Sequence, residues 1–378
     1  MAGALSGLYG GRGLTPVRGE GIFLWDSEGR RYIDFFNGHG AALFGHSEPV
    51  LLEALKRGAE GIWSCGAGYD SPAREELASL LGERLGKGRV FLCNSGTEAV
   101  EAALKLAVAL NGGRREILAC RRGFHGRSCG ALGLTFNPKY RSAFSSLIPA
   151  VRHCAPEELP QRISSDTAVV FIEPVQGEGG VLPIAPEIGA AVTESCHAAG
   201  ALLVADEVQT GLGRCGSFFA SGGSGLTPDI ICLAKGLAGG MAAGAVVWRE
   251  ELGDFPPRSH GSTYGGNGLA AAVSVAALKL IEERKLCEKA ERTGNRIRRL
   301  LAEKTLPGVK AIRGRGLLIG VETELPSLDI VKSLQEHGLL SLAAGPRTVR
   351  FLPSFAVTEE AAEQAVQIFE ETMKELMR

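Results

Sequence analysis

From about residue 89 onward, short runs of Val, Ile and Leu alternate with longer amphipathic or Ala-rich runs. That alternation restricts the chain to repeated βα units around a mainly parallel sheet. The expected strands are 89–93, 116–120, 168–172, 201–205, 230–233 and 245–248. Several are apolar throughout rather than alternating, as strands covered by helices on both faces must be. The 378 residues, 45% of them apolar, exceed one typical domain and point to two.

The flanking segments read differently. GIFLWDSEGRRYIDF predicts two short strands joined at a turn around Ser27 to Gly29, an antiparallel attachment to the main sheet. After Gly268 an Ala-rich stretch is too long, and too polar at its end, for one core helix, and is expected to cross between domains. A second domain then mixes strands over 316–322 and 348–352 with a final helix opening near Thr358, where Glu359 and Glu360 suit the positive end of a helix dipole.

Charge and cysteine content narrow the function classes. Forty-one basic against 42 acidic residues leave a formal charge of −1, without the cationic footprint of a nucleic-acid binder. Nine cysteines lack any CxxC pair, which fits neither a disulfide framework nor a structural zinc site and suggests a reducing cytosol. The opening residues do not read as an export signal, and no stretch is apolar for long enough to cross a bilayer.

In open α/β sheets ligands bind beyond the carboxyl ends of strands, so the polar residues after each apolar run carry the chemistry. Behind Cys93 comes NSGTEAVEAALKLAVAL, where Ser95 and Glu98 have capping-box spacing and Val100, Ala103, Leu104, Ala107 and Val108 mark one helix face. The free N–H groups of that first turn, with Gly96 permitting close approach, make a phosphate site; taken alone the segment is equally an ordinary capped helix. Behind ALLVA come Asp206, Glu207 and Gln209 and a glycine-rich loop. Carboxylates at a strand end are costly without a partner, and with no histidine beside them in sequence no metal site is expected. Behind DIICLA stands Lys235, followed by glycines that leave room around its amine. A lysine after a strand is usually a surface residue, but a desolvated one attacks carbonyls as the neutral amine.

Together the phosphate cradle, strand-end acid and reactive lysine are the parts that pyridoxal 5'-phosphate requires. At these residues the chain resembles the class III pyridoxal-phosphate aminotransferases, in particular the acetylornithine aminotransferase branch, which includes enzymes acting on lysine or ornithine linked to a carrier protein. The resemblance runs in order through NSGTEAVEAALKLA, FHGR, EPVQGEGG, DEVQTGLGR, LAKGLAGG, HGSTYGGN and RGRGLLIGVE, from Gly19 to Phe355. It implies an α/β fold of type I, with a seven-stranded sheet in a large cofactor domain over 46–270. A smaller α+β domain would be built from 1–45 and 271–378, and the enzyme would be a homodimer with shared active sites.

By position, the resemblance makes Lys235 the Schiff-base lysine, Asp206 the partner of the pyridine nitrogen and Gln209 a contact to the ring hydroxyl. Gly96 and Thr97 would hold the phosphate, Phe124 would lie against the ring, and Thr263 would reach the phosphate of the neighbouring subunit's cofactor. Arg127 would meet the α-carboxylate of an ω-amino donor and Arg350 that of 2-oxoglutarate or glutamate, since arginine's planar fork binds carboxylates bidentately. Glu178 would neutralise Arg350 while the donor is bound, and Ser262 would touch the acylated donor. Taken singly, Phe124 is ordinary core packing and Thr263 a loop hydroxyl.

Some positions depart from the family pattern. FLPSF replaces two consecutive prolines and a leucine, GGMAAGA lacks a proline after the glycines, and NGHGAALFGHSEP is atypical around His39 and Ser47. His39 is expected to be structural or solvent-facing. The leading reading is transfer of a terminal amine from N-acetylornithine, or carrier-linked lysine or ornithine, to 2-oxoglutarate in arginine or lysine biosynthesis. Its rivals are a 4-aminobutyrate aminotransferase, a glutamate-semialdehyde aminomutase, and a non-catalytic relative that binds the cofactor for regulation. A small acidic carrier would need a basic rim, for which Arg12, Arg18, Arg121 and Arg122 are available.

Overall fold

Strand Leu202–Asp206 is the middle of seven in the main sheet. The spatial order is Gly88–Cys93, Gly244–Arg249, Ile230–Leu233, Leu202–Asp206, Thr167–Ile172, Glu116–Cys120 and Arg152–Cys154. Only Gly244–Arg249 runs against its neighbours. All six strands expected from the apolar runs are present, with ends shifted by at most one residue. The computed structural model describes residues 6–378 apart from 9, 67 and 305.

The central strands Thr167–Ile172 and Ile230–Leu233 are buried at every residue, as their unbroken apolar sequence requires. Helices supply the cover. Gly96–Leu110 buries Ala99, Val100, Ala103, Leu104 and Ala107. Pro186–Ala199 covers the strands with Val192 and Cys196, and ends on Gly200 in the left-handed conformation that glycine adopts without strain.

The two chain ends meet in one sheet. Strands Pro16–Glu20, Phe23–Asp26 and Arg31–Asp34 form an antiparallel meander, and Leu339–Leu340 joins the last of them in parallel. The expected turn after Asp26 holds: the Asp26 carboxylate accepts from Glu28 N and Arg30 N, and Gly29 takes a φ of +82°. The first of these strands was not legible in the sequence, because its residues are mostly exposed and carry no apolar alternation.

A third sheet, Val309–Arg315, Leu318–Thr323, Thr348–Phe351 and Leu342–Ala343, brings Arg350 to the interior. The Ala-rich stretch is two helices, Gly268–Glu283 and Leu286–Glu303, broken at Lys285, whose φ is +48°. The final helix, Glu359–Leu376, opens with Thr358 accepting from Ala361 N. Among the described residues no helix is long and apolar enough to cross a membrane.

Candidate active site

The carboxyl ends of four strands and the start of helix Gly96–Leu110 open onto one cavity of about 520 Å³. Gly96, Thr97, Phe124, Arg127, Glu178, Asp206, Gln209 and Lys235 all line it. Its size lies within the range of small-molecule sites.

Lys235 follows strand Ile230–Leu233 and begins a short turn, Lys235–Ala238, with a φ of +47° that few non-glycine residues adopt. The turn is held close by Gly236, where a Cβ would lie 2.6 Å from Leu43 Cδ2. Burial pushes the Lys235 amine down to about 8, and the Arg350 charge adds to this while Glu178, Asp206 and Glu173 oppose it. Its Nζ makes no hydrogen bond among the described residues.

Asp206 ends the middle strand, with one oxygen accepting from Val208 N and the other 2.7 Å from His125 Nδ1. Both side chains are almost fully buried. Burial opposes a charged imidazole, but the hydrogen bond and charge of Asp206 outweigh it and raise the His125 pKa. Glu173 completes the floor of the cavity, its oxygens accepting from Phe124 N at 2.8 Å and Gly177 N at 3.2 Å. Burial raises its carboxyl to about 7.

The helix end is built as a cradle. Ser95 Oγ accepts from Glu98 N, and Glu98 reaches back to Asn94 N and Nδ2 rather than to Ser95 N as a standard capping box would. Gly96 N and Thr97 N have no partner among the described residues. A Cβ on Gly96 would lie 2.7 Å from Val208 Cγ1, so only glycine lets the helix end close on that wall. The Thr97 hydroxyl is taken up by Ser128, leaving the backbone of Thr97 as its donor.

Arg127 lines this space, whereas Arg350 stands behind two of its lining residues, Glu178 and Gln209. Arg350, fully buried, donates to Glu178 at 2.7 Å and Gln209 Oε1 at 3.0 Å. Burial works to raise the Glu178 carboxyl, but Arg350 outweighs it and holds the group below its ordinary value. Hairpin Val175–Gln176 with Leu182–Pro183 carries the Glu178 loop. Arg127, in contrast, has no hydrogen bond or ion pair among the described residues, and its guanidinium lies 3.6 Å over the Tyr140 ring.

Besides Arg350, two expected residues lie outside the cavity lining. Ser262 Oγ accepts from Asn94 Nδ2 and Gly265 N beside the rim, and Thr263 is exposed on the same turn. His39 is exposed, its ring packed against Phe36. Of the four arginines considered for a basic rim, Arg18 pairs with Glu20, Arg121 with Glu158, and Arg12 binds Ser341 O. Only Arg122 lines the groove of about 1000 Å³ that adjoins the cavity through Phe124 and Glu178, where Lys139, Arg313 and Arg347 join it. Sequence reasoning passed over His125, Glu173, Val208 and Tyr140. Glu173 directly follows the apolar strand ending at Ile172, so the strand-end rule reaches it. His125 lay inside FHGR but was given no role.

A desolvated lysine, a buried carboxylate and an anion-ready helix end at the strand ends of an α/β sheet fit the needs of pyridoxal phosphate. Comparison with known proteins gives the family. The family described as Aminotransferase class-III matches residues 11–373. A [LysW]-aminoadipate semialdehyde/glutamate semialdehyde transaminase of Sulfolobus acidocaldarius is 39% identical over 372 residues, covering 96% of each chain. An acetylornithine aminotransferase of Clostridium acetobutylicum is 39% identical over 384 residues, covering 98% of this chain and 99% of its own. The solved ornithine aminotransferase of Toxoplasma gondii superposes with a TM-score of 0.94 at 31% identity, over 99% of this chain and 92% of that one. The chain belongs to the class III aminotransferases and is a pyridoxal-phosphate-dependent transaminase.

Proposed function

We propose that the chain moves the terminal amino group of N-acetylornithine, or of lysine or ornithine held on a small acidic carrier protein, to 2-oxoglutarate. The products are a semialdehyde and glutamate, and the setting is cytoplasmic arginine or lysine biosynthesis. The observation that carries this reading is the pair of arginines around one lysine, Arg350 masked by Glu178 and Arg127 unmasked. Such a site can accept two carboxylate substrates in turn. An aminomutase has no need of that alternation. The names of the two relatives quoted above, one acting on acetylornithine and one on carrier-linked substrates, support the donor class.

The residues divide the work. Bound pyridoxal phosphate supplies an aldehyde that holds an amino group and a ring that accepts electrons. Gly96 N and Thr97 N would hold its phosphate, Asp206 would keep a proton at its ring nitrogen, and Phe124 and Val208 would flank the ring. Because Gln209 Oε1 is engaged by Arg350, its amide nitrogen is the donor left for the ring hydroxyl. Lys235 Nζ, neutral in a large share of molecules near pH 8, would take the proton from the amine-bearing carbon of the donor. Arg127 would bind the donor carboxylate, and Arg350, once Glu178 moves aside, that of the acceptor. Ser262 would contact the acylated donor.

The assembly is a homodimer in this reading. Ile62, Trp63, Tyr69 and Tyr264 are each more than half exposed around the turn of Thr263, an apolar surface suited to a second copy. Thr263 would there meet the partner's cofactor phosphate. The large domain would span 46–270, and the small one 1–45 with 271–378. The groove beside Phe124 leaves space for the acyl group or carrier.

The test is a half-reaction screen on cofactor-loaded enzyme, with N-acetylornithine, ornithine, 4-aminobutyrate and carrier-linked lysine added separately, then 2-oxoglutarate. N-Acetylornithine or carrier-linked lysine should change the cofactor absorbance, and 2-oxoglutarate should restore it. A response to 4-aminobutyrate alone, or to none, contradicts the assignment.

A further inference from the structure

Arg127 and Tyr140 form the closest guanidinium–ring contact among the described residues, 3.6 Å from Cζ to the ring centroid. Phe124 lies 5.7 Å from the same guanidinium, and its ring meets Tyr140 edge-on at 6.1 Å and 87°. Tyr140 sits in the short helix Pro138–Arg141, whose start is fixed by Asn137 accepting from Lys139 N. Tyr140 thus lines the groove and also meets the cavity residue Arg127.

The two ways of holding an arginine have different consequences. An acid partner, as Glu178 is to Arg350, consumes the in-plane N–H groups and must be displaced before a carboxylate can bind. An aromatic face takes only the flat side of the guanidinium and leaves its in-plane fork open. Arg127 makes no hydrogen bond or ion pair among the described residues, so its fork remains available.

We infer that Tyr140 is a positioning residue that sets donor affinity: by stacking on Arg127 it fixes the guanidinium plane for a carboxylate while leaving every in-plane donor free. The inference rests on the reading that Arg127 receives the donor carboxylate. Arg350, held by Glu178 and Gln209, makes no hydrogen bond to Tyr140 and no cation–ring contact with it among the described residues, so acceptor affinity does not depend on this ring. Tyr140 thus acts on one substrate of the two.

The experiment measures KM and kcat for N-acetylornithine and for 2-oxoglutarate in Tyr140→Leu, Tyr140→Gln, Tyr140→Phe and Arg127→Ala, all as cofactor-loaded enzyme. Loss of the ring in Tyr140→Leu and Tyr140→Gln should raise the KM for N-acetylornithine roughly two- to thirtyfold, the range a guanidinium–ring contact supports. Both should leave kcat and the KM for 2-oxoglutarate at their wild-type values. Tyr140→Phe keeps the ring and should keep wild-type values. Adding Tyr140→Leu to Arg127→Ala should cost nothing further, because both remove one interaction. If Arg127→Ala raises the donor KM and neither ring-loss variant does, the positioning role is wrong while the Arg127 assignment stands. If both KM values rise together in the ring-loss variants, the ring is merely structural. If Arg127→Ala leaves the donor KM unchanged, or wild type does not turn over N-acetylornithine, the underlying reading fails and this inference falls with it.

Discussion

His125 Nδ1 and Asp206 Oδ2 lie 2.7 Å apart at the floor of the cavity, and neither side chain reaches bulk solvent. A buried carboxylate needs a hydrogen-bond partner, and the imidazole supplies one that fixes the orientation of the Asp206 side chain. His125→Leu removes a hydrogen bond to a charged group. It should lower kcat roughly ten- to hundredfold and weaken cofactor retention on gel filtration. Unchanged turnover and retention would show that Asp206 needs no such partner.

The Arg350–Glu178 pair makes a second prediction, because it belongs to one substrate. Arg350→Leu should raise the KM for 2-oxoglutarate by roughly a hundredfold or more, with a much smaller effect on the donor half-reaction. Glu178→Gln should do the reverse, lowering the KM for 2-oxoglutarate and slowing donor turnover as Arg350 is left unmasked. Steady-state measurements with each substrate varied in turn distinguish these from a general loss of folding.

The lowered pKa of Lys235 has a defined sign. Only the neutral amine attacks an aldehyde, and for a base whose pKa is pushed down to about 8 the neutral fraction grows as pH rises through that value. Cofactor uptake by the apoenzyme, followed by absorbance, should therefore accelerate up to about pH 8 and level off above it. A rate still climbing steeply near the ordinary lysine pKa of 10.5 would place the amine in water.

Arg214 bears on stability rather than chemistry. Its buried guanidinium has no acid partner among the described residues and donates to Gly40 O at 3.2 Å, Leu317 O at 3.3 Å and Pro353 O. It ties the loop after Asp206 to both ends of the chain. Arg214→Met leaves those carbonyls without their donor and should destabilise the fold by roughly 3–5 kcal/mol. Chemical denaturation of the cofactor-free protein measures this directly.

The sheet was legible because its strands are apolar on both faces and the residues just beyond them are polar. The same logic reached Lys235, Asp206 and the helix end at Gly96, which all lie within a residue or two of a strand end or helix start. What the sequence did not disclose depends on long-range packing. Tyr140 lies 13 positions from Arg127 and meets it only because helix Pro138–Arg141 folds back over the cavity wall. Gln209 is shared between the expected ring contact and Arg350, 141 residues away in sequence, which no local pattern encodes. Strand Pro16–Glu20 was missed because an exposed edge strand needs no apolar alternation.

The most direct test of the central claim is borohydride reduction of the cofactor-loaded enzyme followed by peptide mapping. The cofactor should be fixed to the peptide containing Lys235, and Lys235→Ala should lose both the label and turnover while retaining its fold. A label on a different lysine, or normal turnover in Lys235→Ala, would contradict it.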